Sequence, residues 1–392
     1  MAQTKAPTVL FLASWYPTPI NKSHGIFIKN HALALSKFIN VVIVYAYSNS
    51  QANSTKLYNN TINQNFIEYI VEYKKVNSCI PILSQLQKFL RLKNAYKLLL
   101  KTLIIHKINI TAIQLNVIFP VALYFYIFKK YYKVKHTIIE HWSGYLPEDG
   151  NYKGLLITYF TRKAFINVSK IFYVSEKQKQ AMQQHGLKGN YQLIYNVVNT
   201  TIFNYNKSLK TPSPMLLHVS TLDKEQKNIL GTLNTLKNLQ NLNYVFDFVF
   251  VGGDIDAKNY FEQKAKELNM KNILFVGHKT QQQIAELMQQ AHALILFSNY
   301  ENMPVVVLEA LACGLPVFAS NVGQLPCFIN DDFGRLVDVG NEEQLTKQLQ
   351  FFLDGKLNFN SKKMVEFILT HATYDIVGKQ LADEYINLTN SN

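Results

Sequence analysis

The sequence predicts an α/β protein built from two doubly wound domains, and three observations lead to this fold class. The chain has 392 residues, a length that corresponds to about two domains of ~100–200 residues. Short apolar runs alternate with longer helical patterns in both halves, which is typical of parallel sheets covered by helices. Between the halves, residues 203–214 replace this pattern with Asn, Lys, Ser and two prolines. We therefore expect an N-terminal domain over residues 1–205, a C-terminal domain over 206–373, and a final helix over 374–392 that packs back on the first domain.

The individual elements follow from the apolar runs and from the spacing between them. Short runs bounded by polar residues predict buried strands at Thr8–Ala13, Val41–Ala46, Thr111–Leu115, Thr137–Glu140, Lys170–Val174, Met215–Ser220, Tyr244–Val251, Asn272–Val276, Ala293–Phe297 and Pro316–Ser320. Helical periodicity lies between them at Ile26–Phe38, Pro120–Tyr132, Tyr152–Val168, Gln226–Leu239, Lys258–Leu268, Gln281–Gln290 and Val305–Cys313. In sheets of this kind ligands bind at the carboxyl ends of the strands, so we expect the site in a cleft between the domains.

Composition excludes several classes of protein. Hydrophobic residues make up 48% of the chain, which excludes a disordered or collagen-like protein. The three cysteines (Cys79, Cys313 and Cys327) show no CxxC spacing, so we expect neither a disulfide framework nor a structural zinc site. The longest apolar run, residues 117–128, is shorter than the roughly 20 residues that a spanning helix needs. These features favour a cytoplasmic protein.

Charge is distributed unequally between the halves. Residues 1–205 contain 24 Lys and Arg against 6 Asp and Glu, whereas residues 206–392 contain 16 against 20. A basic half suits a polyanion or an anionic membrane surface, and the segments 82–107 and 128–135 mix cations with apolar side chains. Only three of the forty basic residues are Arg, the residue that reads base edges, which disfavours nucleic-acid recognition. We therefore expect peripheral contact with an anionic membrane; an ordinary packed helix with a solvated lysine face is the alternative.

The strongest local motif runs from Ser298 to Val317 and reads as strand end, polar loop, helix, Gly-Leu-Pro and strand. Glu301 lies in the loop, and Glu309 follows about two turns into the helix that begins near Pro304. Free backbone N–H groups at such a helix start bind anions. A carboxylate ahead of the helix suits sugar hydroxyls, and a second on the helix suits a ribose. Taken alone, each residue has an alternative interpretation: Glu301 as a cap of the helix and Glu309 as a solvated position on it.

This string resembles the E-x7-E signature of the retaining glycosyltransferases with the two-domain GT-B fold (group 1, family 4-like). The resemblance implies two Rossmann-like domains that face each other across a cleft, with a nucleotide-diphosphate sugar bound to the C-terminal domain. It implies donor contacts by Glu301 and Glu309 and by the turn that replaces the usual glycine-containing loop: Asn302, Met303, Pro304 and Val305. No metal and no resident cofactor are expected.

Further segments extend the resemblance over most of the chain. Ser14-Trp-Tyr-Pro-Thr-Pro with Gly25 resembles the first strand and glycine loop of the family, and His141 follows a predicted strand where relatives place a histidine against the donor sugar. Lys227 resembles the lysine that clamps the diphosphate. Thr221 stands where the accompanying arginine is usual, and Lys224 is a candidate replacement. The strand-end turns at Gly252, Gly253 and Gly277 resemble those that border the base and ribose.

The resemblance implies a retaining glycosyltransferase that moves a sugar from a nucleotide donor to a lipid-linked or polysaccharide acceptor in cell-surface glycan synthesis. The resemblance also implies that three residues act at the reacting centre: Glu301, Lys227 and His141. Two alternatives stay open. One is a relative that epimerises or cleaves the nucleotide sugar without an acceptor. The other is a catalytically lapsed member that binds a membrane surface or a polyanion.

Overall fold

The computed structural model describes residues 6–76, 81–206 and 209–390. Residues 1–5, 77–80, 207–208 and 391–392 lie outside the described residues, and with them Cys79, part of the predicted linker and the end of the predicted final helix. In the described part, each half of the chain forms one sheet flanked by helices.

The N-terminal sheet has the strand order β3-β4-β2-β1-β5-β6-β7-β8, and every pair except β3 with β4 is parallel. Its central strand is apolar along its length, with residues 9–13 fully buried, as expected for a strand covered on both faces. The strands are β1 (Thr8–Ala13), β2 (Asn40–Asn49), β3 (Lys56–Asn63), β4 (Phe66–Lys74), β5 (Ala112–Asn116), β6 (Lys135–Glu140), β7 (Lys170–Tyr173) and β8 (Tyr191–Leu193). The helices are α1 (Ile26–Ser36), α2 (Pro81–Ile105), α3 (Ile118–Tyr132), α4 (Leu155–Ala164) and α5 (Glu176–Gln184).

The C-terminal sheet is wholly parallel, with the order β11-β10-β9-β12-β13-β14. Its strands are β9 (Met215–Ser220), β10 (Asp247–Gly252), β11 (Ile273–Phe275), β12 (Ala293–Leu296), β13 (Val317–Ser320) and β14 (Gly334–Val337). The helices are α6 (Ile229–Asn241), α7 (Ile255–Glu267), α8 (Gln281–Gln290), α9 (Val305–Ala312), α10 (Glu342–Leu353), α11 (Ser361–His371) and α12 (Tyr374–Asn390). In both sheets the strand order reverses beside the first strand, which places a ligand crevice at that point.

Helix α12 follows the C-terminal sheet in the chain but packs on the N-terminal one. Gly378 lies so close to α1 that a side chain there would collide with the carbonyl oxygen of Ala34. Further along α12, the buried Tyr385 hydroxyl is hydrogen-bonded to Thr137 and Gln114 of the N-terminal sheet. The chain therefore passes between the two halves twice.

The expectation of purely parallel sheets is wrong at one edge, where β3 pairs antiparallel with β4. All eight residues of β3 are exposed, so no apolar face marks this strand in the sequence. Its backbone hydrogen bonds to β4 hold it in place instead, and periodicity does not report such bonds. Among the described residues, no helix combines the length and apolarity needed to cross a membrane.

Candidate active site

The site lies where loops from both sheets meet, and the loop between β12 and α9 is at its centre. Asn302 in this loop donates its side-chain amide to the carbonyl of His141 in the N-terminal half, at 2.8 Å. Asn196, which follows β8, donates to the carbonyl of Met303, also at 2.8 Å. The loop that carries the first glutamate of the E-x7-E motif is therefore held by the opposite half of the molecule.

Glu301 and Lys227 form a buried ion pair. Their side chains are 7% and 12% exposed, so water screens the charges little. Glu301 also accepts hydrogen bonds from Ser298 Oγ at 3.0 Å and Gln226 Nε2 at 3.4 Å. The sequence assigned the two residues to different parts of the donor. The structure brings them together. If a phosphate group binds Lys227 in place of Glu301, the Glu301 carboxylate keeps its hydrogen bonds from Ser298 and Gln226.

Helix α9 begins directly after this pair. Pro304 precedes its first residue, Val305, and has a φ of −66° that suits a helix start. The first-turn N–H groups have no partner within a helix, and together with the helix dipole they favour an anion there. Met303 differs from its neighbours, because its side chain is buried and its sulfur accepts the backbone N–H of Asn196 at 3.4 Å. Its position suits holding the loop rather than presenting a side chain to the cleft.

Glu309 lies about one turn into α9, which begins at Val305, and is the counterpart of Glu301 in the motif. Within the part of the chain that the structure describes, its half-buried carboxylate forms no hydrogen bond or ion pair. Burial raises the pKa of Glu309 to about 8. Removing a carboxylate from water without giving it a hydrogen-bond partner costs free energy unless a ligand supplies one, and such groups are enriched at functional sites.

Glycine turns bring backbone close to the cleft at the predicted positions. Gly25 precedes α1 with a φ of 67°, and a Cβ there would lie 2.6 Å from the carbonyl carbon of Trp15, so only glycine fits. The N–H of Gly252 donates to the carbonyl of Gly277 at 2.8 Å, which places the turns after β10 and β11 side by side. Gly253, next to Gly252, also has a positive φ.

His141 follows β6 and is fixed by its neighbours. The buried Glu140 carboxylate accepts the backbone N–H groups of His141 and Trp142, each at 2.9 Å. The His141 ring packs on Phe27 with ring centroids 4.3 Å apart, and its enclosed Nε2 atom has no hydrogen-bond partner among the described residues. Burial, with His31 close by, lowers the pKa of His141 well below 6.5, so the ring is neutral at physiological pH.

Thr221 follows β9 and is exposed. Because threonine is uncharged, this position lacks the positive charge of the usual arginine. Lys224, the candidate replacement, places its ammonium group 3.6 Å from the ring centroid of Tyr260 on α7. This cation–π contact holds the charge on α7. Among the residues that the structure describes, no group of three or more His, Cys, Asp or Glu side chains is arranged to hold a metal ion.

Sequence reasoning missed the contribution of the loop after β13. A side chain at Gly323 would collide with the carbonyl oxygens of Glu301 and Asn302, so this glycine allows the two loops to pack. Gln324, which is buried, donates its backbone N–H to Asn302 at 2.8 Å and accepts the N–H of Glu176 at 2.9 Å. The available signal was a glycine in the loop that follows a strand, because the absence of a Cβ lets another backbone approach closely.

The two Rossmann-like halves and the cleft between them have the fold of the GT-B glycosyltransferases. Residues 201–367 match the family model described as glycosyl transferases group 1. This match lies within the C-terminal half of the chain.

The chain is also similar to individual glycosyltransferases. The chain is 27% identical over 286 residues to an uncharacterized glycosyltransferase of Methanocaldococcus jannaschii, which covers 71% of this chain and 75% of the relative. It is 28% identical to the Escherichia coli UDP-Gal:alpha-D-GlcNAc-diphosphoundecaprenol alpha-1,3-galactosyltransferase over 42% of this chain and 43% of the relative. Among solved structures, sucrose-phosphate synthase from Thermosynechococcus elongatus superposes with a TM-score of 0.78 at 17% identity, covering 98% of this chain and 100% of that one.

Proposed function

We propose that the protein transfers a sugar, with retention of anomeric configuration, from a nucleotide-diphosphate donor to a lipid-linked or saccharide acceptor in cell-surface glycan synthesis. The observation that carries the proposal is the buried Lys227–Glu301 pair directly ahead of the α9 N-terminus, held against His141 by Asn302. The Escherichia coli relative uses a UDP-sugar and a diphospholipid-linked sugar, which agrees with this choice of substrates.

In this proposal the donor diphosphate lies between Lys227 and the first turn of α9. The bond between the anomeric carbon and the phosphate oxygen breaks while the acceptor hydroxyl attacks that carbon from the same face. The departing phosphate oxygen takes the hydroxyl proton, so the new glycosidic bond and the protonated diphosphate balance the reaction. Lys227 and the α9 N–H groups stabilise the charge that develops on the leaving group. His141, being neutral, contacts the sugar without repelling the positive charge at the anomeric carbon.

The first test is thermal stabilisation by UDP, GDP, ADP and their common sugars. A ligand at 100 times its Kd adds about 2.7 kcal/mol to the stability of the folded state, which gives a clear shift of the melting temperature. We expect one base to produce this shift in the wild type and Glu309→Gln to reduce it, because Glu309 is proposed to accept the ribose hydroxyls. Glu343→Gln, at an exposed position on α10, is the matched control.

The outcomes separate the candidate functions. A shift with one base followed by transfer to an acceptor supports the proposal. A shift together with conversion of the donor that no acceptor changes would favour an epimerase or hydrolase. Stability unchanged by every nucleotide would overturn the proposal in favour of a lapsed member that binds a surface, a reading that the exposed, uncharged Thr221 favours.

We also propose peripheral attachment to the cytoplasmic face of an anionic membrane through the outer face of α2. Leu83, Leu86 and Leu90 are 42%, 53% and 45% exposed and lie on one face of the helix, which continues with the exposed Lys97 and Lys101. An apolar end followed by a cationic end suits insertion at the headgroup boundary of anionic lipids. Arg91 does not take part, because its guanidinium donates to the carbonyl of Lys74 at 2.6 Å.

Flotation with vesicles tests this attachment. We expect the protein to float with phosphatidylglycerol vesicles and not with phosphatidylcholine alone. The double variant Leu86→Glu, Leu90→Glu should remove the binding, whereas Lys362→Glu on the C-terminal half should not. Equal binding of both variants and the wild type would overturn the assignment of α2.

A further inference from the structure

A buried histidine lies where two central strands of the C-terminal sheet separate. Strand β9 stays paired with β10 up to Ser220, but its pairing with β12 ends at Leu217 and Leu294. His218 is the next residue of β9, and its side chain is fully buried. Its Nδ1 atom lies 2.9 Å from the carbonyl oxygen of Ile295 on β12. The imidazole therefore bridges the two strands at the base of the crevice between the loops that follow them.

The hydrogen bonds of this ring run in one direction. A backbone carbonyl only accepts, so Nδ1 of His218 carries the proton and donates it to Ile295. Burial lowers the pKa of His218 to about 3, so the ring is neutral and its Nε2 atom carries no proton. Nε2 accepts the hydroxyl of Ser220 at 2.7 Å, and Ser220 Oγ accepts the backbone N–H of Leu222 at 2.9 Å. We call this chain of three hydrogen bonds, from the Leu222 N–H through Ser220 and His218 to the Ile295 carbonyl, the His218 relay.

The relay begins at a residue with an unusual backbone conformation. Leu222 has a φ of 54°, in the left-handed region that residues with a side chain disfavour. Its buried side chain packs on the turn after β10, where a Cβ at Gly253 would lie 2.8 Å from Leu222 Cδ1. The hydrogen bond from its N–H to Ser220 holds the backbone from the other side. Leucine therefore keeps this conformation because its surroundings impose it.

The conformation of Leu222 sets the course of the loop that carries Lys227. The next residue, Asp223, begins a single helical turn in which its carbonyl accepts the N–H of Lys227 at 3.0 Å. The loop also binds the one after β12, because the carbonyl of Gln226 accepts the N–H of Asn299 at 2.8 Å. A rotation of the backbone at Leu222 would therefore shift Lys227 relative to the loop that carries the E-x7-E motif.

We propose that His218 and Ser220 are positioning residues for sugar transfer and that they act through Lys227. The His218 relay fixes the backbone at Leu222 and thereby places the lysine ammonium group against the departing diphosphate. This inference rests on the proposed transfer reaction, in which neither side chain contacts the donor. An apolar side chain would suffice at position 218 if it only filled the space between the strands, whereas the three matched hydrogen bonds end at the loop of a reacting group.

The test is a double-mutant cycle on kcat, measured with the nucleotide sugar that the wild type turns over and corrected for the folded fraction. We expect Ser220→Ala to lower kcat by about tenfold, because a small displacement of a reacting group is costly. In the Lys227→Ala background the same substitution should change kcat by less than about twofold, since the lysine that it positions is absent. Thr235→Val removes another buried hydroxyl of this half, with its hydrogen bond to Gly231, and should leave kcat unchanged. An equal loss in both backgrounds, or no loss in either, would overturn the inference.

Conservative variants and the tautomer of the ring provide further readouts. His218→Asn keeps a donor in place of Nδ1 but loses the acceptor, so its kcat should fall as in Ser220→Ala, whereas Ser220→Thr keeps the hydroxyl and should stay near the wild type. Nitrogen-15 chemical shifts test the relay without turnover, and we expect the proton of His218 on Nδ1 at neutral pH. A proton on Nε2 would overturn the relay whatever the reaction. A wild type with the expected tautomer that turns over no nucleotide sugar would overturn the proposed function, and with it the catalytic role of the relay.

Discussion

The two sides of the cleft differ in charge. The C-terminal side presents Lys227, Glu301 and the unpartnered Glu309 around the start of α9. The N-terminal side presents the rings of Trp15, Phe27, His24 and His141, and burial lowers the pKa of both histidines so that they are neutral at physiological pH. Charge is thus concentrated where a diphosphate would depart, and uncharged surface lies where an acceptor would approach. The N-terminal half is strongly basic as a whole, but its side of the cleft is not.

The largest effect is expected from the C-terminal side. Lys227→Ala removes the cation proposed for the leaving group and should lower kcat by about 10²–10³, the usual cost of losing one such donor. The fold should persist, because Glu301 keeps its hydrogen bonds from Ser298 and Gln226. Glu301→Gln, which preserves shape, should lower kcat at least tenfold.

Steady-state kinetics measure both values, with Lys271→Ala at an exposed position as the control. Turnover near that of the wild type in either variant would remove the residue from the mechanism and weaken the contrast between the two sides.

Acid should act on buried histidines beneath the N-terminal side. Burial lowers the pKa of His31 to about 4, although two backbone carbonyls face its ring nitrogens. The unfolded chain therefore binds a proton between pH 6.5 and 4 that the folded chain does not, and stability falls as the pH drops through this interval. One such group contributes a slope of about 1.4 kcal/mol per pH unit.

Urea unfolding across pH 4–7 measures this slope. We expect His31→Asn to make it shallower, while the buried His136, whose pKa is also lowered to about 4, keeps part of it in place. An unchanged slope in His31→Asn would show that His31 does not contribute in this way.

Glu309 predicts the opposite pH dependence on the C-terminal side. Because its pKa is raised to about 8, the folded chain binds a proton between pH 4.5 and 8 that the unfolded chain has lost, so stability falls as the pH rises through that interval. Glu309→Gln should therefore increase the free energy of unfolding at pH 8 and leave it nearly unchanged at pH 4.5. A variant that is stabilised but binds nucleotide about tenfold more weakly would show that the carboxylate serves the ligand at the expense of the fold.

The smallest effect concerns the contact between the sides. Asn302→Ala removes the hydrogen bond to the His141 carbonyl, and a neutral bond of this kind contributes about 1 kcal/mol. We expect kcat/KM to fall about fivefold, with little change in melting temperature. Asn234→Ala, which removes an exposed amide–carboxylate bond on α6, is the control. An unchanged kcat/KM would mean that closure does not depend on this contact.

The sequence predicted most strands and helices because their apolar runs are buried on both faces, as in β1, β9 and β12. It did not predict β3, β4, β8 or β14; the residues of β3 are all exposed, and backbone hydrogen bonds to β4 hold this strand. At the site, the E-x7-E spacing predicts Glu301 and Glu309 as donor contacts, because residue type and position carry the signal there. The pairing of Glu301 with Lys227 and the roles of Asn196 and Gln324 depend on loops from distant parts of the chain. The spacing of residues along the chain does not predict such contacts.

Helix α12 has a consequence for how the molecule opens. Because the chain passes from the first half to the second after β8 and returns before α12, two covalent crossings lie side by side. A single linker would let the halves rotate in any direction, whereas two crossings restrict them to bending about the line that joins them. A rotation about that line would change the width of the cleft and keep the same residues facing each other. Loss of α12 would free the other rotations and expose the buried amide of Gln114 and hydroxyl of Thr137 that Tyr385 now satisfies.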